Sequence, residues 1–336
     1  MSSQQLVLVT GVSGFIGAHV AVCLVNEGYR VRGTVRSMEK ANKLIHLNPE
    51  LEGKIEFVIV TDIVDLPALK GAVKGCDYIC HVASPVLVDV HDNKTELLDP
   101  AVNGTLRVLE AATSEPKVKR VVITSSFVAL RNFSTDPNVG YNYTEKDWNP
   151  ITYEEALTTK NGTFAYGASK KFAEKAARDY VKEKHPQYDI CTINPPFVLG
   201  PSIHPMNSMQ SLSTPNKIFW NLINGSQIQP SLQHWKVDVR DLANAHVFAL
   251  TNEELSNGRL LVAQGPFFSN HVCKMLREHF PEKTNTISKP SDVPFNENLY
   301  KLDNSLSKSL GLKYRSEEET YLDTALNLWE RAKQFS

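Results

Sequence analysis

The first 196 residues alternate apolar strand-like runs with helix-like segments at a cadence that leaves little choice of fold. "LVLVTG" (residues 6–11) reads as a buried strand, and "FIGAHVAVCLVNEG" (15–28) as an apolar-faced helix closed by Gly28. A strand over 30–36, a helix over 39–46, a strand over 55–60, a short helix over 66–73 and a strand over 76–83 follow. Then come a long helix over 95–114, a strand over 118–126, a long amphipathic helix over 166–184 and a strand over 188–196. Strands separated by helices pair in parallel and carry the helices on both faces, which predicts an α/β protein with a doubly wound parallel sheet of the Rossmann type.

Past residue 196 the cadence is lost. Residues 200–220 are rich in Pro, Ser and Asn and are predicted to form a loop over the site. "VDVRDLANAHVFALT" (237–251) reads as a strand end running into a helix that rejoins the first lobe, and 316–332 as an amphipathic helix whose "SEEE" start is solvated. The predicted division is a dinucleotide-binding domain over 1–196, with 230–252 returning to it, and a smaller C-terminal α/β substrate-binding lobe over 197–229 and 253–336.

Charge and cysteine usage narrow the function. A formal net charge of -1 gives no electrostatic footprint for nucleic acid and no attraction to an anionic membrane. The five cysteines are odd in number and scattered, with Cys76 and Cys80 too far apart for a CxxC pair, so neither a metal site nor a disulfide framework is expected. No apolar run approaches the roughly 18 residues of a membrane span, and "MSSQQ" leads straight into a strand. A cytoplasmic protein is expected.

In "TGVSGFIG", Gly11, Gly14 and Gly17 stand where the first strand turns into the first helix. Glycines there let the backbone adopt φ > 0 and let phosphates approach the first helical N–H groups. About 20 residues on, an NAD site would place a carboxylate against the ribose hydroxyls. This chain has "VRGTVRSMEK", with Arg32, Arg36 and Lys40 and no carboxylate before Glu39. A guanidinium binds a 2′-phosphate that a carboxylate would repel, so NADP is expected.

The chemistry is expected at Tyr166 and Lys170, four apart on one helix face, with Ser125 and Ser126 at a neighbouring strand end. A tyrosine with an ordinary pKa near 10 needs a nearby cation to act as an acid–base at neutral pH, and Lys170 can supply it. Ser126 can donate to a substrate oxygen as negative charge develops there, while Tyr166 delivers a proton and a nicotinamide the hydride.

"TGVSGFIG", "HVASP", "NGTLRVLEAA", "TSS", "YGASK", "INPPFVLGP" and "VDVRDLANAH", in this order, resemble the extended short-chain dehydrogenases/reductases. Within them the chain is similar, over nearly its whole length, to the branch of plant dihydroflavonol reductases and yeast NADPH-dependent methylglyoxal/isovaleraldehyde reductases. The resemblance implies Ser126, Tyr166 and Lys170 as the catalytic set and Asn103 as a helper organising a water and the lysine. It implies Gly11, Ser13, Gly14, Phe15, Ile16 and Gly17 around the NADPH pyrophosphate, and Arg36 with Lys40 on the 2′-phosphate. Asp62 and Ile63 would meet the adenine; Ala83, Pro195, Phe197 and Val198 would line the nicotinamide end.

Two departures narrow the substrate. "NGTFAYG" lacks the Trp-Tyr-Cys pattern of cinnamoyl-CoA reductases. In "SFVALRNF", Arg131 precedes Asn132, one register off the asparagine by which plant dihydroflavonol reductases meet flavonoid hydroxyls. A small-molecule aldehyde or ketone fits better. Val86, Phe127, Phe133, Tyr141, Phe164, Phe197 and Met206 are the expected substrate-pocket residues, apolar or aromatic and near strand-end motifs, and His204 is expected at the surface. The alternatives are an NAD-dependent nucleotide-sugar epimerase or dehydratase, which the basic cluster argues against, and a non-catalytic NADP sensor, which retention of Tyr166 and Lys170 argues against. Monomer and homodimer both remain open.

Overall fold

The computed structural model describes residues 4–84, 90–134 and 140–335. In chain order the first half contains β1 (Leu6–Thr10), α1 (Phe15–Asn26), β2 (Arg30–Val35), α2 (Met38–Leu47), β3 (Ile55–Ile59), α3 (Leu66–Val73), β4 (Tyr78–His81), α4 (Asp99–Thr113) and β5 (Arg120–Thr124). It continues with β6 (Asn142–Tyr143), α5 (Tyr153–Thr158), α6 (Gly162–Lys184), β7 (Asp189–Asn194) and β8 (Phe197–Leu199). The remainder comprises α7 (Thr214–Ile223), β9 (Gln233–Asp238), α8 (Val239–Ala249), β10 (Arg259–Leu261), β11 (Gly265–Phe268), α9 (Ser269–His279), β12 (Lys301–Leu302), α10 (Ser305–Ser309) and α11 (Glu317–Lys333).

Seven strands form one sheet in the order β10-β7-β5-β4-β1-β2-β3, and every pairing in it is parallel. All five residues of β1 are buried, as a central strand covered on both faces requires. The helix α1 presents Ala18, Val20, Ala21 and Leu24 to one face, in a core shared with Ala41 and Leu44 of α2 and Leu242 and Ala245 of α8. Leu69 and Ala72 of α3, Val108 and Leu109 of α4 and Ala177 of α6 cover the other face. Strand order reverses between β1 and β4, so the crevice beyond their carboxyl ends is where a ligand is admitted.

A second sheet, β11-β9-β8, packs with α7, α9 and α11 around Phe219, Phe267, Tyr321 and Leu328. Two details depart from the expected division. The strand β10, from the stretch assigned to the second lobe, is the edge of the large sheet, and β9, from the stretch expected to return to the first lobe, pairs within the small one. The 200–220 stretch is not all loop, because Thr214–Ile223 forms a helix with Pro in its first turn, where the missing N–H costs nothing. Among the described residues no helix is long and apolar enough to cross a membrane.

Candidate active site

The switch-point crevice opens into a cleft of about 1930 Å³ that runs from the turn between β1 and α1 to the second lobe. At one end the glycine turn is held tight by the protein itself. Gly11 has φ +67, and a Cβ there would lie 3.0 Å from Ala83 Cα in the segment after β4. A Cβ on Gly17 would lie 2.4 Å from the Gly11 carbonyl oxygen, so the first turn of α1 can close on the preceding turn only without a side chain. That closure leaves Ser13, Gly14, Phe15 and Ile16 on the cleft wall, with the N-terminus of the twelve-residue α1 turned toward it. Thr10 locks the two strands flanking the crevice. Its hydroxyl oxygen accepts from Val82 N and Ala83 N, both at 3.1 Å, and meets His81 Nδ1 at 2.8 Å. Burial pushes His81 down to about 3, with the Lys170 charge adding to it, so the ring is neutral and accepts the threonine proton.

Along the rim, Arg36 and Lys40 line the cleft and are exposed. Among the described residues neither forms an ion pair, and the nearby Glu39 carboxylate is taken by Lys43 at 2.7 Å. Ser37 starts α2 by accepting from Lys40 N, which brings both cations to one turn. Asp62 and Ile63 follow β3 on the same wall, and Asn103 of α4 faces it from the other side of the crevice.

The opposite end carries the hydroxyls. Ser126, just past β5, caps a short turn by accepting from Val128 N, while Ser125 faces away from it and donates to Glu174 at 2.6 Å. Tyr166 and Lys170 stand one turn apart on α6, with Lys170 Nζ 5.8 Å from the phenol ring centre. Burial raises the Tyr166 pKa, and a hydrogen bond with Ser126 pulls it the other way. Burial lowers Lys170 to about 8, and its Nζ donates to Ser84 Oγ at 2.8 Å. At Tyr166 burial is the larger influence and the Ser126 hydrogen bond the opposing one. Pro195, Phe197 and Val198 close this end from β7 and β8, and Phe127 and Phe133 from the segment after Ser126.

Behind the serines lies a polar network that no motif signals. Glu174, the next turn of α6 after Lys170, is 1% exposed. Its carboxylate accepts from Ser125 Oγ (2.6 Å), Asn194 Nδ2 (2.9 Å), Thr192 Oγ1 (3.0 Å) and Arg259 Nε (2.6 Å), with Arg178 Nη2 at 3.4 Å. Burial pulls its pKa up, but the two guanidiniums and these donors outweigh burial and keep it below the usual carboxylate value. Asn194 also donates to the Ser126 carbonyl at 3.2 Å, so the network grips the backbone of the reactive turn.

A profile of the NAD dependent epimerase/dehydratase family matches residues 7–263, more than half of the chain. The chain belongs to that family. A putative uncharacterized oxidoreductase of Schizosaccharomyces pombe is 62% identical over 334 residues, covering 99% of each chain. The NADPH-dependent methylglyoxal reductase of Saccharomyces cerevisiae is 34% identical over 336 residues, covering 95% of this chain and 96% of its own. The crystal structure of yeast methylglyoxal/isovaleraldehyde reductase complexed with NADPH matches with a TM-score of 0.87 at 32% identity, over 98% of this chain and 100% of that one. The doubly wound fold and the family resemblance read from the motifs are thus both met.

In this epimerase/dehydratase-family chain several expected site residues lie elsewhere. Arg32 does not face the cleft: it is in register with Glu56 on β3, so the two side chains share a sheet face and pair at 2.7 Å. Its remaining donors go to the carbonyls of Ala72 and Lys74. Tyr141 is 48% exposed and donates to Asp147 at 2.5 Å, outside the cleft. Phe164 packs its ring 5.3 Å from Phe133 and does not itself line the wall. Met206 is buried in the core of the second lobe. His204 is not at the surface either: it is 7% exposed, its ring lies 5.6 Å from Phe15, and burial with the Arg331 charge lowers it to about 3. Val86 lies outside the described residues. The cleft also recruits residues not expected there: Ser84, inside "HVASP", and Arg131, His234, Trp235 and Tyr300.

Proposed function

We propose that this chain reduces aldehydes and ketones to alcohols with NADPH, Tyr166 supplying the proton. One observation carries the reading: Ser126, Tyr166 and Lys170 meet at one end of a single cleft whose other end holds two cations, without an ion pair among the described residues, and a helix N-terminus. The relatives named as NADPH-dependent reductases support it. The donor set suits the cofactor. Gly11, Ser13, Gly14, Phe15, Ile16 and Gly17 would hold its pyrophosphate, Arg36 and Lys40 its 2′-phosphate, and Asp62 and Ile63 its adenine. Ala83, Pro195, Phe197 and Val198 would border the nicotinamide, and Asn103 lines the same cleft. When bound, NADPH supplies a hydride.

The chain's own residues manage the oxygen. Ser126 donates to the carbonyl oxygen as charge builds on it. Tyr166, kept protonated by its burial, transfers its proton there. The Lys170 ammonium, one helical turn away, then lowers the energy of the phenolate left behind. Phe127, Phe133 and Phe197 exclude water and present an apolar wall, which suits a small carbonyl compound. A cytoplasmic setting is supported by the five cysteines, all unpaired and four of them buried.

The test follows NADPH absorbance with isovaleraldehyde. Turnover should fall at least about 100-fold in Tyr166→Phe and be much weaker with NADH. NADPH that binds but is not oxidised by any carbonyl compound would overturn the reading and favour nucleotide-sugar chemistry, which the family description also admits.

A further inference from the structure

Arg131 is a cation placed among aromatic rings at the catalytic end of the cleft, and among the described residues nothing neutralises it. Its guanidinium carbon lies 4.7 Å from the Tyr300 ring centre and 4.8 Å from that of Phe133, and both rings line the cleft with it. It is five residues past Ser126, on the turn whose backbone carries that serine: Arg131 N donates to the Phe127 carbonyl at 3.1 Å. Its Nε is buried without a hydrogen-bond partner, and among the described residues no carboxylate pairs with the guanidinium.

The groups packed around it do not supply a countercharge. Tyr300, pushed up to about 12 by burial, stays a neutral phenol. Tyr143 is likewise raised by burial, and its hydroxyl is committed as an acceptor from Asn132 N at 2.9 Å. His234 stacks on Phe197 at 4.2 Å and meets the Tyr300 hydroxyl at 3.3 Å, and burial with the Arg131 charge lowers it to about 4. It too is neutral. Cation–π contacts hold the guanidinium plane but satisfy none of its N–H donors. Arginines held for structure elsewhere in this chain look different: Arg120 and Arg259 each join a carboxylate and two backbone carbonyls.

Resting on the reductase reading above, we propose that Arg131 selects substrates in which the aldehyde or ketone also carries a carboxylate. A planar guanidinium matches a carboxylate in a bidentate fork, and one fixed positive charge among neutral rings balances a monoanion. The aromatic walls would cover the apolar chain between carboxylate and carbonyl. In the reaction the carbonyl carbon gains a hydride from NADPH, which becomes NADP⁺, and the carbonyl oxygen gains the Tyr166 proton. The carboxylate is unchanged.

The experiment compares ω-oxo acids of increasing chain length, from glyoxylate through succinic semialdehyde upward, with their methyl esters, in wild type, Arg131→Gln and Arg131→Lys. The readout is the acid-to-ester ratio of kcat/KM, which cancels any general damage to a variant. One chain length should favour the acid by about 10- to 100-fold in wild type, the worth of a charge-assisted pair. Arg131→Gln should bring that ratio to near one or below, and Arg131→Lys should keep part of it. A wild-type ratio at or below one at every length would overturn the proposal, as would a ratio unchanged by Arg131→Gln. If neither acids, esters nor isovaleraldehyde oxidise NADPH, the reductase reading fails instead. Calorimetric binding of the same acids and esters to the NADPH-loaded protein then decides on Arg131: preferential binding of an acid, lost in Arg131→Gln, supports it, and equal binding overturns it.

Discussion

Replacing Glu174 by Gln tests how the reactive end of the cleft is held. The change is isosteric, so it leaves no cavity, and the energetic consequence is electrostatic. All the groups within hydrogen-bonding distance of the carboxylate are donors: Ser125, Thr192, Asn194, Arg178 and Arg259. Whichever oxygen becomes NH₂ faces a nitrogen donor, Arg259 on one side or Asn194 on the other, and only the hydroxyls of Thr192 and Ser125 can turn to accept from it. Arg259, its side chain 8% exposed, cannot follow its lost charge into water, because it is also anchored to the Glu145 and Asp147 carbonyls and stacked 3.9 Å from the Trp148 ring centre. Breaking a buried pair from one side costs about 3–5 kcal/mol, a large share of the roughly 5–15 kcal/mol typical of a folded protein. Urea unfolding followed by tryptophan fluorescence and far-UV dichroism should show a midpoint lowered by that free energy divided by the slope, with the slope itself unchanged. Because Asn194 joins the network to the Ser126 carbonyl, kcat should also fall in folded Glu174→Gln at low temperature. A loss below about 1 kcal/mol, in the range of an exposed pair, would refute the argument that this carboxylate is locked by its surroundings.

Three further outcomes follow from the geometry. Arg36→Ala should cut the NADPH-over-NADH ratio of kcat/KM by about tenfold or more, whereas Arg32→Ala, which removes a pair on the far side of β2, should change it less than about twofold; the reverse order would restore Arg32 to the cofactor site. Reduction should weaken as pH rises through about 8, because burial has lowered Lys170 to that value and the ammonium is present below it and lost above; kcat/KM with isovaleraldehyde flat to pH 10 would exclude a role for that charge. Gly17→Ala puts a methyl 2.4 Å from the Gly11 oxygen. It should cost about 1–3 kcal/mol of stability and weaken NADPH binding, and thermal unfolding with a fluorescence titration checks both.

The regular half of the chain was legible because central parallel strands of the large sheet are buried on both faces and read as apolar runs, as in LVLVT of β1 and VVI of β5, while helix-like segments separate one strand from the next. Its last strand, β10, was not: "RLL" is three residues long and lies beyond the small sheet's β9, so neither length nor periodicity marks it. Placements that depend on the backbone or on one helix turn were also legible: Gly11 and Gly17 close the turn after β1, and Tyr166 and Lys170 stand one turn apart on α6. What sequence could not supply was the direction of side chains set by a distant partner. Arg32 and Arg36 differ by four positions on one basic stretch, yet register with Glu56 takes the first to the sheet edge and leaves the second at the cleft.

The same logic explains why Arg131 drew notice only as a shifted register. Its significance depends on what surrounds it, and those groups come from sequence-remote segments: Phe133 beside it, His234 from β9 and Tyr300 just before β12. A cation in a folded chain can reach water, find an anion, settle on neutral acceptors or be kept for a ligand. Arg36 and Lys40 reach water at the rim, Arg120 and Arg259 find carboxylates, and Lys170 holds a serine hydroxyl beside the tyrosine. Arg131 is partly exposed in the cleft, but its Nε is buried without a partner, rings lie on either side and no carboxylate pairs with it among the described residues, which suits the last. Desolvating a guanidinium without an anion costs free energy in the unliganded protein, and a substrate carboxylate recovers that cost on binding. The penalty is thereby turned into discrimination against a neutral substrate of the same shape.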